Sequence, residues 1–395
     1  MGKIEVAKYI PMLSSIKWIL KSSSVAYIIY NRVLSIVLTM YGLFCKIDDT
    51  LILINSFGGT RYDDSPRAIY EYMRTNPKYR DYKIIWVFDK LPKNTPKDLE
   101  WVKNNSVKFF KTALKAKYWI TNSSMERGLK FKKANTVEIN TWHGSALKKM
   151  GCDTGKSTKK LRVSKPNIFY CQSEYDKETF VRAFNYPESC MRIVGLPRND
   201  ELAHIANKQI FEIRQKLNIP KNKKVILYAP TFRDYATDTK GNYLAPPFDI
   251  EKWRNALSKD YIILFRAHYA VSKVANIKYD NFIRDATTYE NLNELMIASD
   301  ILVSDYSSIM IDYSILERPI FAYGYDLEEY EEKRGLYFDL DKTLPNGIQK
   351  AEDEIIHKIQ TINFADQKKR TIKFKSKFVE KCGHATEYID EIIKG

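Results

Sequence analysis

ILVSDYSSIMIDYSILERPIFAYG, residues 301–324, reads as strand, helix, strand. ILVSDY (301–306) is an apolar run that ends in polar residues. SSIMIDYSILE (307–317) is amphipathic, and PIFAYG (319–324) is apolar again. Buried strands joined by helices indicate a parallel α/β sheet. The alternation continues on the N-terminal side in KVILYAP (224–230), YIILFRAH (261–268) and NFIRD (281–285), with a helical segment in YENLNELMIAS (289–299). An earlier series holds TLILINS (50–56), KIIWVF (83–88), AKYWITN (116–122), TVEINTW (136–142), NIFYCQS (167–173) and RIVGL (192–196), with helices in SPRAIYEYMRTN (65–76) and EYDKETFVRAF (174–184). ELAHIANKQIFEIRQKLNIPKNKK (201–224) reads as a helical bridge between the two series. The expectation is an α/β fold with two Rossmann-like domains, 47–200 and 201–395, facing across a cleft. Ligands in open α/β sheets bind at the carboxyl ends of strands.

The chain has 395 residues, 64 basic against 48 acidic, for a net charge of +16. Apolar residues at 44% exclude a disordered chain. Residues 101–170 hold 16 basic residues against Glu126, Glu138 and Asp153, so +13 of the +16 falls there. Charge so concentrated points to a polyanionic partner: nucleic acid, an anionic membrane surface or a phosphate-rich substrate. Lys148, Lys149, Lys159 and Lys160 lie in this stretch. The five cysteines are widely spaced and form no C-x-x-C pair, which speaks for free thiols and against a disulfide framework or zinc ribbon. No H-E-x-x-H occurs either, so no dedicated metal site is expected.

Residues 1–46 read as a membrane-associating segment. VAYIIYNRVLSIVLTMYGLFC (25–45) approaches the length of a span, but Asn31 and Arg32 interrupt it, and Lys3, Lys8, Lys17 and Lys21 precede it. Lysines beside aromatic and aliphatic residues suit a helix lying in the headgroup region. The alternatives are a helix packed on the protein's own core and a true span.

Three motifs carry candidate chemistry, each at the end of a strand. Thr141-Trp142-His143-Gly144-Ser145 places beside a glycine that admits close approach a histidine that either transfers protons or, as this motif alone favours, is structural. Arg266-Ala267-His268-Tyr269 pairs two groups suited to phosphate oxygens. Val303-Ser304-Asp305-Tyr306-Ser307-Ser308 runs into a helix, with Ser307 and Ser308 at or near its N-cap. There, hydroxyls and N–H groups either bind phosphate or simply cap the helix. Ser56-Phe57-Gly58-Gly59 is a tight turn that lacks both the dinucleotide fingerprint and the P-loop lysine.

Taken together, TWHGSALKKMG (141–151), GLPRND (195–200), YAPTFRD (228–234), FRAHY (265–269) and SDYSSIMIDYSILERPIFAYGYDLEEYEEKRGLYFDL (304–340) resemble, in content and order, the CDP-glycerol glycerophosphotransferases of teichoic acid synthesis. The resemblance implies a glycosyltransferase-B-like architecture. It implies transfer of an alditol phosphate from a CDP-activated donor, CDP-glycerol, to a hydroxyl of an undecaprenyl-diphosphate-linked acceptor, with release of CMP and no cofactor. Work at the cytoplasmic face of a bacterial cell membrane goes with it, and a homo-oligomer stays open. By the same resemblance His143 is a general base for the acceptor hydroxyl, and His268 a donor-phosphate ligand or leaving-group stabiliser. Ser304, Asp305, Ser307 and Ser308 hold the donor, while Arg233 and Arg266 add positive charge. The basic face, with Lys148, Lys149, Lys159 and Lys160, meets acceptor and membrane.

Two departures stand out. Ser145 replaces the usual Thr, and Gly383-His384-Ala385-Thr386-Glu387 lacks the Arg the family often carries, so a donor contact from this stretch is left open. The length suits the compact members, primases and short capsule polymerases. CDP-ribitol as donor and a conventional sugar-nucleotide glycosyltransferase on the same fold are the alternatives. No nucleic-acid recognition motif is present, so nucleic acid is not an expected partner.

Overall fold

The computed structural model describes residues 24–155, 165–231, 233, 247–267 and 278–393. Two sheets organise them. The first runs β3-β2-β1-β4-β5-β6-β7, where β1 is Asp48–Asn55, β2 Lys83–Phe88, β3 Trp101–Lys103, β4 Ala116–Thr121, β5 Val137–Asn140, β6 Ile168–Cys171 and β7 Met191–Ile193. The second runs β10-β9-β8-β11-β12-β13, where β8 is Lys224–Tyr228, β9 Tyr261–Phe265, β10 Ile283–Asp285, β11 Ile301–Ser304, β12 Ile320–Tyr323 and β13 Ile348–Gln349. Every pair in the second sheet is parallel, as are the pairs from β3 through β6 in the first.

Both orders begin 3-2-1-4-5-6 in chain sequence, the order of a doubly wound sheet, and reverse between the first and fourth strands. The apolar runs explain the layering. In β1 the last five residues are buried, and β9 and β12 are buried throughout. Strands covered by helices on both faces read as continuous apolar runs. The strands read from the sequence all form. β3 and β13 escape that reading because they are edge strands of three and two residues with little apolar content. The expected bridge at 201–224 is two helices, Asp200–Ala203 and Asn207–Lys216, broken at residues 204–206.

The chain divides into two compact units, and not at residue 200. One is Met1–Trp142 with Lys160–Phe169; the other is His143–Lys159 with Tyr170–Gly395. Packing gives the reason. Leu147 is buried in one apolar cluster with Leu202, Val225, Tyr306 and Leu336. Tyr337 N–H donates to Leu147 O at 3.0 Å, and Lys149 N–H to Gly335 O at 3.1 Å. Glu380 and Lys381 N–H groups donate to Gln172 O, and the Tyr175 ring stands edge-on to Phe378. The loop after Trp142 therefore belongs with the second unit. The two motif histidines were expected one per half. His143 falls in the second unit, and His268 lies outside the described residues.

Candidate active site

The order reversal of the second sheet lies between β8 and β11, and the polar residues just past those strands build its floor. Ser304, buried, donates its hydroxyl to Ala229 O at 2.7 Å. Asp305 accepts from Thr231 N–H at 2.9 Å and from Tyr306 N–H at 2.6 Å. Arg233 is 4% exposed. Its Nη1 donates to Asp305 at 2.8 Å and to Thr231 O at 2.7 Å, and its Nε and Nη2 donate to Asp326 at 2.7 and 2.9 Å. The guanidinium also lies 4.8 Å from the Tyr306 ring centre and 5.1 Å from that of Tyr330, and these rings stack at 4.0 Å. Although burial opposes its charge, these acidic partners raise the Arg233 pKa further. A guanidinium held by two carboxylates is compensated inside the protein. The structure thus holds Ser304, Asp305 and Arg233 together by hydrogen bonds just past the strand ends.

Ser307 and Ser308 are half-buried at the start of the helix Ile309–Ser314. Ser307 Oγ accepts from Ile309 N–H at 3.3 Å; Ser308 is the N-cap residue, but its side chain makes no cap hydrogen bond. The His143 loop comes to this turn. Gly144 has φ +135°, and a Cβ built on it would stand 3.0 Å from Ser308 Oγ and 3.2 Å from Arg198 Nη2. No larger residue fits without displacing them, which explains the glycine after the histidine. Trp142, just before, has φ +52°, an uncommon conformation for an aromatic residue that costs about 1 kcal/mol or more.

Below the loop runs a chain of hydrogen bonds. Arg198 Nη2 donates to Asp312 Oδ2 at 2.7 Å, and Asn199 Nδ2 to Asp312 Oδ1 at 2.7 Å. Asn199 Nδ2 also donates to Gln172 Oε1 at 3.1 Å, Gln172 Nε2 to Ser145 Oγ at 3.0 Å, and Ser145 Oγ to Asp176 Oδ2 at 3.0 Å. Complete burial pushes the Asp176 carboxyl up to about 7, against the lowering effect of hydrogen bonds from Gln172 N–H and Ser145. Arg198, Asn199, Asp312, Gln172 and Asp176 were not singled out as site residues in the sequence. Asp312 was the legible one, a carboxylate inside the otherwise apolar IMIDYS. Asp176 resembles an ordinary first-turn acid, and its own N–H is capped by Ser173.

The remaining candidates fall elsewhere. Arg266 donates Nη1 to Ala286 O at 3.0 Å and Tyr289 O at 2.5 Å, bracing the turn after β10. Lys148 lies 5.9 Å from the Tyr330 ring centre and pairs with Leu336 in a β-bridge; Lys149 is exposed. Lys159 and Lys160 lie outside the described residues. In the 383–387 stretch, the N–H groups of Gly383, Ala385 and Thr386 all donate to the Asp200 carboxylate at 2.7–3.1 Å. An internal anion fills that backbone cradle, and the stretch serves to hold GLPRND in place.

Known proteins resemble this chain over most of its length. The teichoic acid poly(glycerol phosphate) polymerase of Staphylococcus epidermidis is 35% identical over 90% of this chain, which spans only 52% of that relative. The enzyme of the same description from Bacillus spizizenii is 33% identical, with 92% of this chain and 96% of the relative covered. The teichoic acid glycerol-phosphate transferase of Staphylococcus aureus is 36% identical over 82% of this chain and 87% of its own. A solved structure of the wall teichoic acid polymerase TagF superposes with a TM-score of 0.80 at 33% identity, covering 92% of this chain and 95% of that one. A histidine-substituted TagF soaked with CDPG gives 0.79 at 34% identity, covering 88% and 89%. The profile of CDP-glycerol:poly(glycerophosphate) glycerophosphotransferases matches residues 37–394, and the chain belongs to that family.

Proposed function

We propose that this chain transfers glycerol phosphate from CDP-glycerol to a hydroxyl of a lipid-linked acceptor in teichoic acid or related polymer synthesis and releases CMP. The observation that carries the reading is the approach of Gly144 to Ser308, which brings the loop of the proposed base to the serine turn at the end of β11. In this reading His143 takes the proton from the acceptor hydroxyl as its oxygen attacks the glycerol-bearing phosphorus. The bond from that phosphorus to the bridging oxygen breaks, and CMP leaves with the electron pair. Ser307 and Ser308 hold the donor diphosphate, with His268 as a further phosphate ligand. Arg233, Asp305 and Ser304 keep the strand ends rigid beneath it. Phosphoryl transfer depends on positioning and charge stabilisation more than on covalent machinery. The donor is a substrate, and the reading assigns no cofactor. The two sheets, each beginning in Rossmann order, fit the glycosyltransferase-B-like class that the motifs imply.

The same reading places the protein on the anionic cytoplasmic face of the membrane, next to an undecaprenyl-diphosphate-linked acceptor. The helix Ser24–Leu43 supports this. Its inner stripe rests on the first unit: Leu38 is buried, Ser35 Oγ accepts from Lys130 N–H at 3.0 Å, and Thr39 Oγ1 donates to Lys130 O at 3.3 Å. Its outer face is exposed and mostly apolar, including Ile29, Val33, Ile36, Val37 and Met40, with Arg32 also exposed on the helix. That inverts the amphipathicity of a helix on a water-soluble protein. The helix passes the length and composition test for a span, but its inner hydrogen bonds favour lying on the surface. At its end, Gly42 touches the helix Val107–Lys115, which exposes Lys108, Lys111 and Lys115. Basic residues near an anionic bilayer contribute about 1 kcal/mol each.

The test is purified protein with CDP-glycerol and a lipid-linked acceptor, CMP and product length being read by mass, with CDP-ribitol as the comparison donor. His143→Ala is expected to slow CMP release by about 10²–10⁴-fold, the usual contribution of a general base. Undiminished release by a folded His143→Ala protein removes His143 from the chemistry, and preference for CDP-ribitol reassigns the donor.

A further inference from the structure

The hydrogen-bond chain under the His143 loop has two ends with different duties. One end grips Asp312, on the helix that follows Ser308, through Arg198 and Asn199. The other grips Ser145, two residues after His143, through Gln172. We propose that Gln172 and Asn199 are positioning residues that set the spacing between His143 and the Ser307–Ser308 turn by tying Ser145 to Asp312. The proposal rests on the catalytic reading of His143 and Ser308.

Three features support it. Asn199, Gln172, Ser145 and Asp176 are each 4% exposed or less, so the link runs through the interior where water cannot substitute for a lost bond. The link has a direction. Asn199 Nδ2 donates both ways, Gln172 accepts on Oε1 and donates from Nε2, and Ser145 accepts from Gln172 and donates to Asp176. Each amide can sit in one orientation only, which fixes the rotamers. The gap being set is also narrow: a methyl group on Gly144 would stand 3.0 Å from Ser308 Oγ and 3.2 Å from Arg198 Nη2, so these neighbours would have to shift. A displacement of about 1 Å at such a contact costs on the order of 10²-fold in rate. An apolar core of the same volume would give comparable stability more simply. Retention of a polar chain therefore fits a demand for fixed geometry.

Gln172→Met cuts the chain in the middle at nearly constant volume, Ser145→Ala cuts it at the loop, and Ser145→Thr keeps the hydroxyl. For folded proteins the expected result is a fall in kcat of about 10–100-fold for Gln172→Met and Ser145→Ala, with KM for CDP-glycerol within about twofold. Ser145→Thr should hold near wild type. The double variant should be no slower than either single, because both break one link. Hydrogen exchange across 141–150 should quicken in the two disrupting variants and not in Ser145→Thr. Wild-type kcat in both disrupting variants, or losses that multiply in the double variant, overturns the proposal. So does unchanged exchange across 141–150, which is read without turnover. A protein that releases no CMP but shows the exchange pattern refutes the catalytic reading and leaves the link standing.

Discussion

The helix Ile309–Ser314 and the helix Ser24–Leu43 are both rich in aliphatic residues, yet every residue of the first is buried, while the second buries Leu38 and Gly42 and exposes most of its aliphatic and aromatic side chains. Around the short helix the polar atoms are answered from within, Asp312 by Arg198 and Asn199, and Asp305 by Arg233. Along the long helix Ser35 and Thr39 hydrogen-bond inward beside Leu38, and most of the apolar side chains turn out. Apolarity in a sequence says that a segment avoids water. It does not say whether protein or lipid replaces the water.

The largest effect that sharpens this contrast belongs to the buried neighbourhood. Arg233→Met leaves Asp305 and Asp326 without their shared cation, and a urea titration should show a loss of about 3–5 kcal/mol. A loss below about 1 kcal/mol would mean that the carboxylates find other partners. Next comes one substitution made in both helices. Ile311→Ala should cost about 2–5 kcal/mol by leaving a cavity. Ile36→Ala should stay within about 0.5 kcal/mol, as at surface positions generally. Equal losses would place the long helix in a core and erase the contrast.

Aspartate at Ile36 should weaken binding to vesicles containing anionic lipid by about tenfold or more, since one such side chain contributes about 1.5–3 kcal/mol when buried in an apolar phase. The melting temperature should not move. Unchanged flotation of Ile36→Asp with the vesicles would remove that face from the membrane contact.

Another effect is a slope of stability against pH. The Asp176 carboxyl is raised from 3.8 to about 7 in the folded protein. Between those values the native state keeps a proton that the unfolded chain has lost, so this group's contribution to stability falls as pH rises through that window. Asp176→Asn removes the titration. The urea midpoint of the variant should gain on that of wild type between pH 5 and pH 8, whereas parallel curves would show that Asp176 does not titrate there.

Much of the fold was readable because it rests on local chemistry. EYDKETFVRAF was read as residues 174–184 and forms the helix Glu174–Phe184, because Ser173 caps its first turn and Asn185 ends it in a left-handed conformation. The apolar strands were equally plain. The site was readable only in part. The order of five motifs pointed to the family, but the partners that hold Arg233, Ser304 and Asp305 were not legible. A buried arginine between two carboxylates and a phosphate-binding arginine look the same in a sequence.

The sequence by itself determined which segments are strands and helices, and the family. These follow from side-chain periodicity, capping and motif order. Tertiary structure alone decided that the loop after Trp142 joins the second compact unit, that Ser145 is tied through Gln172 and Asn199 to Asp312, and that a mostly apolar face of Ser24–Leu43 points outward. Each of these depends on contacts between residues far apart in the chain, and no local pattern encodes which distant partner a buried polar atom or an apolar face will meet.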